Sequence, residues 1–80
     1  MEVKPLIREH LLTELLRRQD IPIDDETPLI EEGYVTSLQA VELVMFLEER
    51  FQVQIDAEEV NEEEFHSLNT IADLVERKLG

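Results

Sequence analysis

The fifteen residues from Ser37 to Phe51 are apolar on two sides of a helix, and this constrains the fold more than any other stretch of the chain. Ala40, Leu43, Val44, Leu47 and Phe51 recur at offsets 0, 3, 4, 7 and 11, which places them on one helical face. Leu38, Val41 and Met45 form a second stripe on roughly the opposite side. Glu42, Glu48 and Glu49 flank it, and Phe46 lies at its edge. Two arrangements meet this pattern. The helix is covered all round by neighbours, or its second stripe stays open as an anchor for a partner with a basic rim. Eighty residues give a small core and little material to cover both sides. Acids buried beside the stripe would also each need a partner. An open strip is expected, and Met45 suits a surface that adapts to several partners.

The rest of the chain supplies what the inner face packs on. From about Lys4 to Gln19, Ile7, Leu11, Leu12, Leu15 and Leu16 form a broad apolar stripe. Pro5 suits a first helical turn, and Arg17 and Arg18 suit a last turn, where cations favour the helix dipole. Asp20 to Thr36 reads as a loop, interrupted by Pro22 and Pro28 and turned at Gly33. Seventeen residues is long for a connection, which points to an ordered, functional loop. Its Ile21, Ile23, Leu29, Ile30, Tyr34 and Val35 are expected to fold down on the bundle as a lid. Thr36-Ser37-Leu38-Gln39 fits a capping box, so the second helix should begin at Thr36 or Ser37. Asp56 to Glu64 reads as a short acidic helix carrying Val60. Ser67 caps a final helix through Leu79, with Leu68, Ile71, Val75 and Leu79 inward. Phe51 to Ile55 alternates like a strand but has no partner. The expectation is one all-α domain over residues 1–80. It is a bundle of three longer helices and one short one, with a long ordered loop between the first two.

Twenty acids against seven bases give a net charge of −13. Such a surface is repelled by nucleic acid and by anionic membranes, and is attracted to basic proteins. The longest apolar run, Leu43 to Leu47, is far short of a membrane span. No basic start followed by an apolar core marks a signal peptide, and no cysteine supplies a disulfide or thiolate site. A cytoplasmic monomer is expected.

At Ser37 these readings converge on a family. Thr36-Ser37-Leu38, then Val41-Glu42-Leu43-Val44-Met45, then Leu47-Glu48-Glu49 and Phe51, resembles the acyl carrier and peptidyl carrier proteins. In that family an Asp-Ser-Leu triplet opens a second helix much like this one. The resemblance extends over length, acidity, helix order, the long first loop and the closing helix. It implies that a phosphopantetheinyl transferase attaches 4′-phosphopantetheine from coenzyme A at Ser37. It also implies that Thr36, Leu38, Val41, Glu42, Met45, Glu48 and Glu49 meet partner enzymes. Those partners are the transferase and the loading and acceptor enzymes, with basic docking surfaces. The chain would then carry an acyl or aminoacyl group as a thioester in a polyketide, nonribosomal peptide, fatty acid or related pathway, and would not itself be a catalyst. A helix N-terminus is a sensible place for the phosphodiester, since free N–H groups and the dipole favour an anion there. Two features depart from the pattern. Thr36 stands where the family has aspartate, and Gly33 stands four residues before Ser37, as in freestanding carriers of aminoacyl or specialised acyl units.

Other chemistry finds less support. Ser37 lacks a Gly-x-Ser-x-Gly elbow, so a hydrolase triad with His10 or His66 has no local basis. Two distant histidines without cysteine make no zinc site. The runs Asp24-Asp25-Glu26 and Glu62-Glu63-Glu64 lack the spacing of a calcium loop and read as solvated faces. The alternative of another class is an unmodified module of the same fold that binds a basic partner through helix two.

Overall fold

Val3–His10 forms the first helix, α1, with Val3 and Ile7 buried one turn apart. The computed structural model describes residues 3–17 and 22–80. Beyond His10 the backbone widens into a π-helical segment, Leu11–Leu15, closed by the Leu16 N–H donating to the Leu11 carbonyl at 2.9 Å. This widening was not expected from the apolar spacing, and π segments are uncommon. Leu11 is sealed inside, while Leu12, Leu15 and Leu16 are half-buried against the core. Arg17 is not in a helical last turn. It follows the segment with φ 54° and is exposed, so it gives the helix dipole no support. The expectations for Arg18, Gln19, Asp20 and Ile21 lie outside the described residues.

The loop before the second helix packs down as a lid. Ile23, Leu29 and Val35 are buried, and Ile30 and Tyr34 pack against them. Its backbone is tied to other elements. The Leu29 N–H donates to the His66 carbonyl at 2.8 Å, and the Asn69 N–H donates to the Asp25 carbonyl at 3.0 Å. Arg8 on α1 bonds the Ile23 carbonyl and the Asp25 carboxylate, with Lys4 3.5 Å from Asp25. These bonds lower the Asp25 carboxyl from its ordinary value, the Arg8 contact contributing most. Glu26 N–H and the Thr27 hydroxyl bond the Asp24 carboxylate and lower it too. Asp24 and Asp25 are therefore working structure rather than an idle solvated face, while the Glu26 side chain stays exposed. Gly33 turns the chain at φ 79°, a conformation open to glycine at little cost. Tyr34 and Val35 then return their N–H groups to the Leu29 carbonyl.

Ser37–Phe51 forms α2 with Ala40, Leu43, Leu47 and Phe51 buried, as the first stripe requires. Val44 is only half-buried. Gln52 ends the helix in the left-handed region at φ 56°. No strand forms at 51–55. The expected acidic helix at 56–64 is reduced to a single 3-10 turn, Ala57–Glu59, followed by turns. Nine residues with two apolar ones, Ala57 and Val60, cannot repay a helical nucleus when side chains offer competing bonds. Here Glu59 Oε1 takes the Asp56 N–H and Asn61 Oδ1 takes the Glu64 N–H, each at 2.8–2.9 Å. Lys78 and Arg77 then pin this segment through Glu59 at 2.6 Å and Glu64 at 2.7 Å. Leu68–Leu79 is α3, capped by the buried Ser67, whose hydroxyl accepts the Thr70 N–H. Leu68, Ile71, Leu74 and Val75 are sealed, but Leu79 in the final turn is 43% exposed, contrary to expectation. The segment at 56–64 reaches this end through ion pairs to Arg77 and Lys78, and Leu79 lies outside the buried core. Among the described residues the architecture is an all-α bundle of three helices with one 3-10 turn, its core shared by all three helices and the lid loop. Among the described residues no helix is long and apolar enough to cross a membrane.

Candidate functional site

The start of α2 is organised by its own sequence. Thr36 has extended backbone, and its hydroxyl accepts the Gln39 N–H at 3.3 Å. Gln39 Oε1 accepts the Thr36 N–H in return at 2.9 Å, so the predicted capping box is complete. Ser37 is the first helical residue and is exposed, and its hydroxyl makes no hydrogen bond to any described residue. The first turn of α2 carries no acid, in a chain with twenty of them. The first turn of α2 therefore sets no carboxylate of its own against the positive end of the helix dipole, a setting that favours an attached phosphate.

The two stripes separate as their spacing requires. Leu38 is 69% exposed, Val41 53% and Met45 63%, the three most exposed large apolar side chains among the described residues. Glu42 and Glu49 beside them are exposed and join no ion pair among the described residues. Glu48 differs. It is half-buried, and its Oε2 accepts the Ile55 N–H at 2.9 Å, holding the chain where it leaves α2. Thr36 is exposed at the helix tip next to Ser37. One connected surface thus holds Thr36, Ser37, Leu38, Val41, Glu42, Met45 and Glu49, with Glu48 committed inward.

Two neighbouring features were not singled out from the sequence. A cleft of about 290 Å³ opens beside Ser37, walled by Ile30, Val35, Ala40 and Val41 on one side and by Val60, Asn61, Glu62 and Phe65 on the other. The Asn61-to-Glu64 side-chain turn was its one sequence-level cue. Farther along α2, the rings of His10 and Phe46 stack with centroids 3.7 Å apart and planes 8° from parallel. Burial lowers the His10 pKa, opposed by the nearby Glu14 carboxylate. His66 is half-buried near the acidic segment, so neither histidine stands near Ser37 in the lining of its cleft. Among the described residues no group of three or more His, Asp or Glu could hold a metal ion.

Comparison with known proteins adds to this geometry. Residues 7–77 match the family described as PP-binding, phosphopantetheine attachment site. The chain is 31% identical to the D-alanyl carrier protein of Leuconostoc mesenteroides subsp. mesenteroides, over 80 residues that span the whole of both proteins. Among solved structures it resembles a chain from the crystal structure of an FAD-dependent dehydrogenase. There the TM-score is 0.78 and the identity 30%, over 86% of this chain and 97% of that one.

Proposed function

This chain belongs to the phosphopantetheine-attachment family of carrier proteins, and from that premise we propose that Ser37 is the attachment residue for the family's 4′-phosphopantetheine. The observation that carries this reading is the position of Ser37: exposed, unbonded and first in a capped helix whose first turn holds no acid. In the attachment step the Ser37 hydroxyl oxygen bonds to the pantetheine-side phosphorus of the coenzyme A diphosphate, and its proton passes to a base on the transferase or to solvent. The diphosphate P–O bond breaks, and adenosine 3′,5′-bisphosphate leaves. The attached group supplies a thiol, in a chain with no cysteine, on which an acyl or aminoacyl group is held as a thioester. The residues of this protein fix the tether, present it to solvent and mark the docking surface. They supply no acid, base or nucleophile to later steps.

Identity to a D-alanyl carrier protein along the whole chain supports a small aminoacyl cargo over a long fatty chain. The well-filled core behind α2, with Leu43, Leu47, Leu68 and Ile71 sealed, supports the same choice. The partners in this reading are a phosphopantetheinyl transferase, a loading enzyme and acceptor enzymes, each meeting Leu38, Val41, Met45, Glu42 and Glu49 with an apolar centre and a basic rim. The likeness to a chain from an FAD-dependent dehydrogenase structure makes a redox enzyme a reasonable candidate among them. We place the protein as a monomer, since −13 on each copy opposes self-association.

Intact mass tests the reading. Incubation with coenzyme A, Mg2+ and a broad-specificity transferase should add one phosphopantetheine group to the parent and none to Ser37→Ala. No gain with several transferases would favour the unmodified interaction module, which Thr36 in the usual aspartate position keeps in view.

A further inference from the structure

The exposed stripe of α2 is too small to hold an enzyme by itself. Three such side chains expose a few hundred Å² at most, whereas a specific interface covers about 800 Å² on each partner. The surface must continue past the stripe in one direction or the other. Toward Ser37 and Val41 it runs into the cleft that Ser37 itself lines, which is where a tethered arm departs. In the other direction, past Glu42 and Met45, it runs into a groove of about 630 Å³ between α2 and the π segment.

That groove has the make-up of a docking pocket. Met45, Phe46 and Leu15 give it apolar walls, with Phe46 held in place by its stack on His10. Glu14, Glu42 and Glu49 supply carboxylates along it. Arg17 and Arg50 also line it, so acid exceeds base by one locally and by far more over the molecule. Met45 belongs to both the stripe and the groove, so the two are one continuous surface.

We propose that the docking surface wraps around this edge of α2 onto the π segment, and that the groove receives an apolar side chain flanked by lysine or arginine on the phosphopantetheinyl transferase. The proposal rests on Ser37 being the modified residue. Glu14 is its most distinctive member, because it lies outside α2 and outside any contact that attachment at Ser37 itself requires.

Transferase kinetics with the full chain test it, using coenzyme A and a broad-specificity transferase. Glu14→Lys should raise KM for the carrier about fivefold, the scale of one lost surface charge contact, with kcat within twofold. Asp73→Lys, the same charge change at an exposed site on α3, should leave KM within twofold. Equal effects from both variants would reduce the groove to bulk charge and overturn the proposal, as would no effect from either. Amide line broadening provides a second readout on Ser37→Ala titrated with transferase. Broadening should reach residues 10–15 as well as α2, and confinement to α2 would overturn the wrap-around surface. A parent chain that is never modified would instead remove the Ser37 reading, and the groove's occupant with it.

Discussion

Thr36, Ser37 and Gln39 show how much of this site is settled within four residues. The Thr36 hydroxyl and the Gln39 amide satisfy each other's backbone partners, which fixes the direction in which Ser37 leaves the bundle. Thr36→Ala should cost about 1 kcal/mol of stability through the lost cap, read by denaturant unfolding. Gly33 acts at the other end of the same turn. A Cβ there would meet nothing within 4 Å, so the strain of φ 79° alone makes Gly33→Ala unfavourable, by about 1 kcal/mol. His10 reports on burial. NMR titration should place its midpoint below the ordinary histidine value, and Glu14→Gln should lower it further, since that carboxylate is the contact that raises it. An unshifted midpoint in the parent would contradict the packed stack with Phe46. Such local features were legible in the sequence where a hydroxyl, a glycine or an amide stands within one turn of its partner. The inward commitment of Glu48 was not, because its partner Ile55 is reached only after the chain reverses past Gln52.

At the scale of elements, α2 is the piece whose pattern could be read most fully. A residue on the buried stripe and one on the open stripe should respond in opposite ways. Leu43→Ala should lose about 2–5 kcal/mol of stability by leaving a cavity, whereas Met45→Glu should leave helicity and melting nearly unchanged and weaken transfer to partners. Circular dichroism with a transferase assay separates the two, and a collapse of helicity in Met45→Glu would mean that this stripe is core. Periodicity could not show the π widening at Leu11–Leu15, since apolar residues there suit either helix. It also over-read 56–64 as a helix, where side-chain bonds from Glu59 and Asn61 outcompete helical ones. Leu79 kept the right spacing but is exposed in the final turn, where the neighbouring 56–64 segment meets α3 through ion pairs.

Across the whole molecule, charge serves both fold and partners. The lid loop is held to α1 by Asp25 with Arg8 and Lys4, and the acidic segment to α3 by Glu59 with Lys78 and Glu64 with Arg77. Asp25 and Glu59 are held below their ordinary values by these bonds. Their contribution is therefore present above the unfolded carboxylate range and is lost as pH falls through the folded values. The stability gap between parent and Asp25→Asn should be open at pH 7 and narrow progressively only as pH falls below about 4, as a series of denaturant melts from pH 7 into acid would register. A gap that persists in acid would remove the ion pairs from the account. The exposed acids of α2 act outward instead. If partners dock here through a basic rim, as proposed, binding should weaken as salt rises. The fold class and the exposed stripe of α2 could be read from pattern, but the cleft at Ser37 and the groove at Met45 arise only when distant segments meet.

The central claim is a covalent one and is tested by mapping the modification. After incubation with coenzyme A and transferase, the parent should be digested and the peptide spanning Ser37 sequenced by tandem mass spectrometry. Phosphopantetheine on the Ser37 hydroxyl is the predicted result. The group on any other residue, or an unmodified Ser37 in a folded chain, would contradict the account.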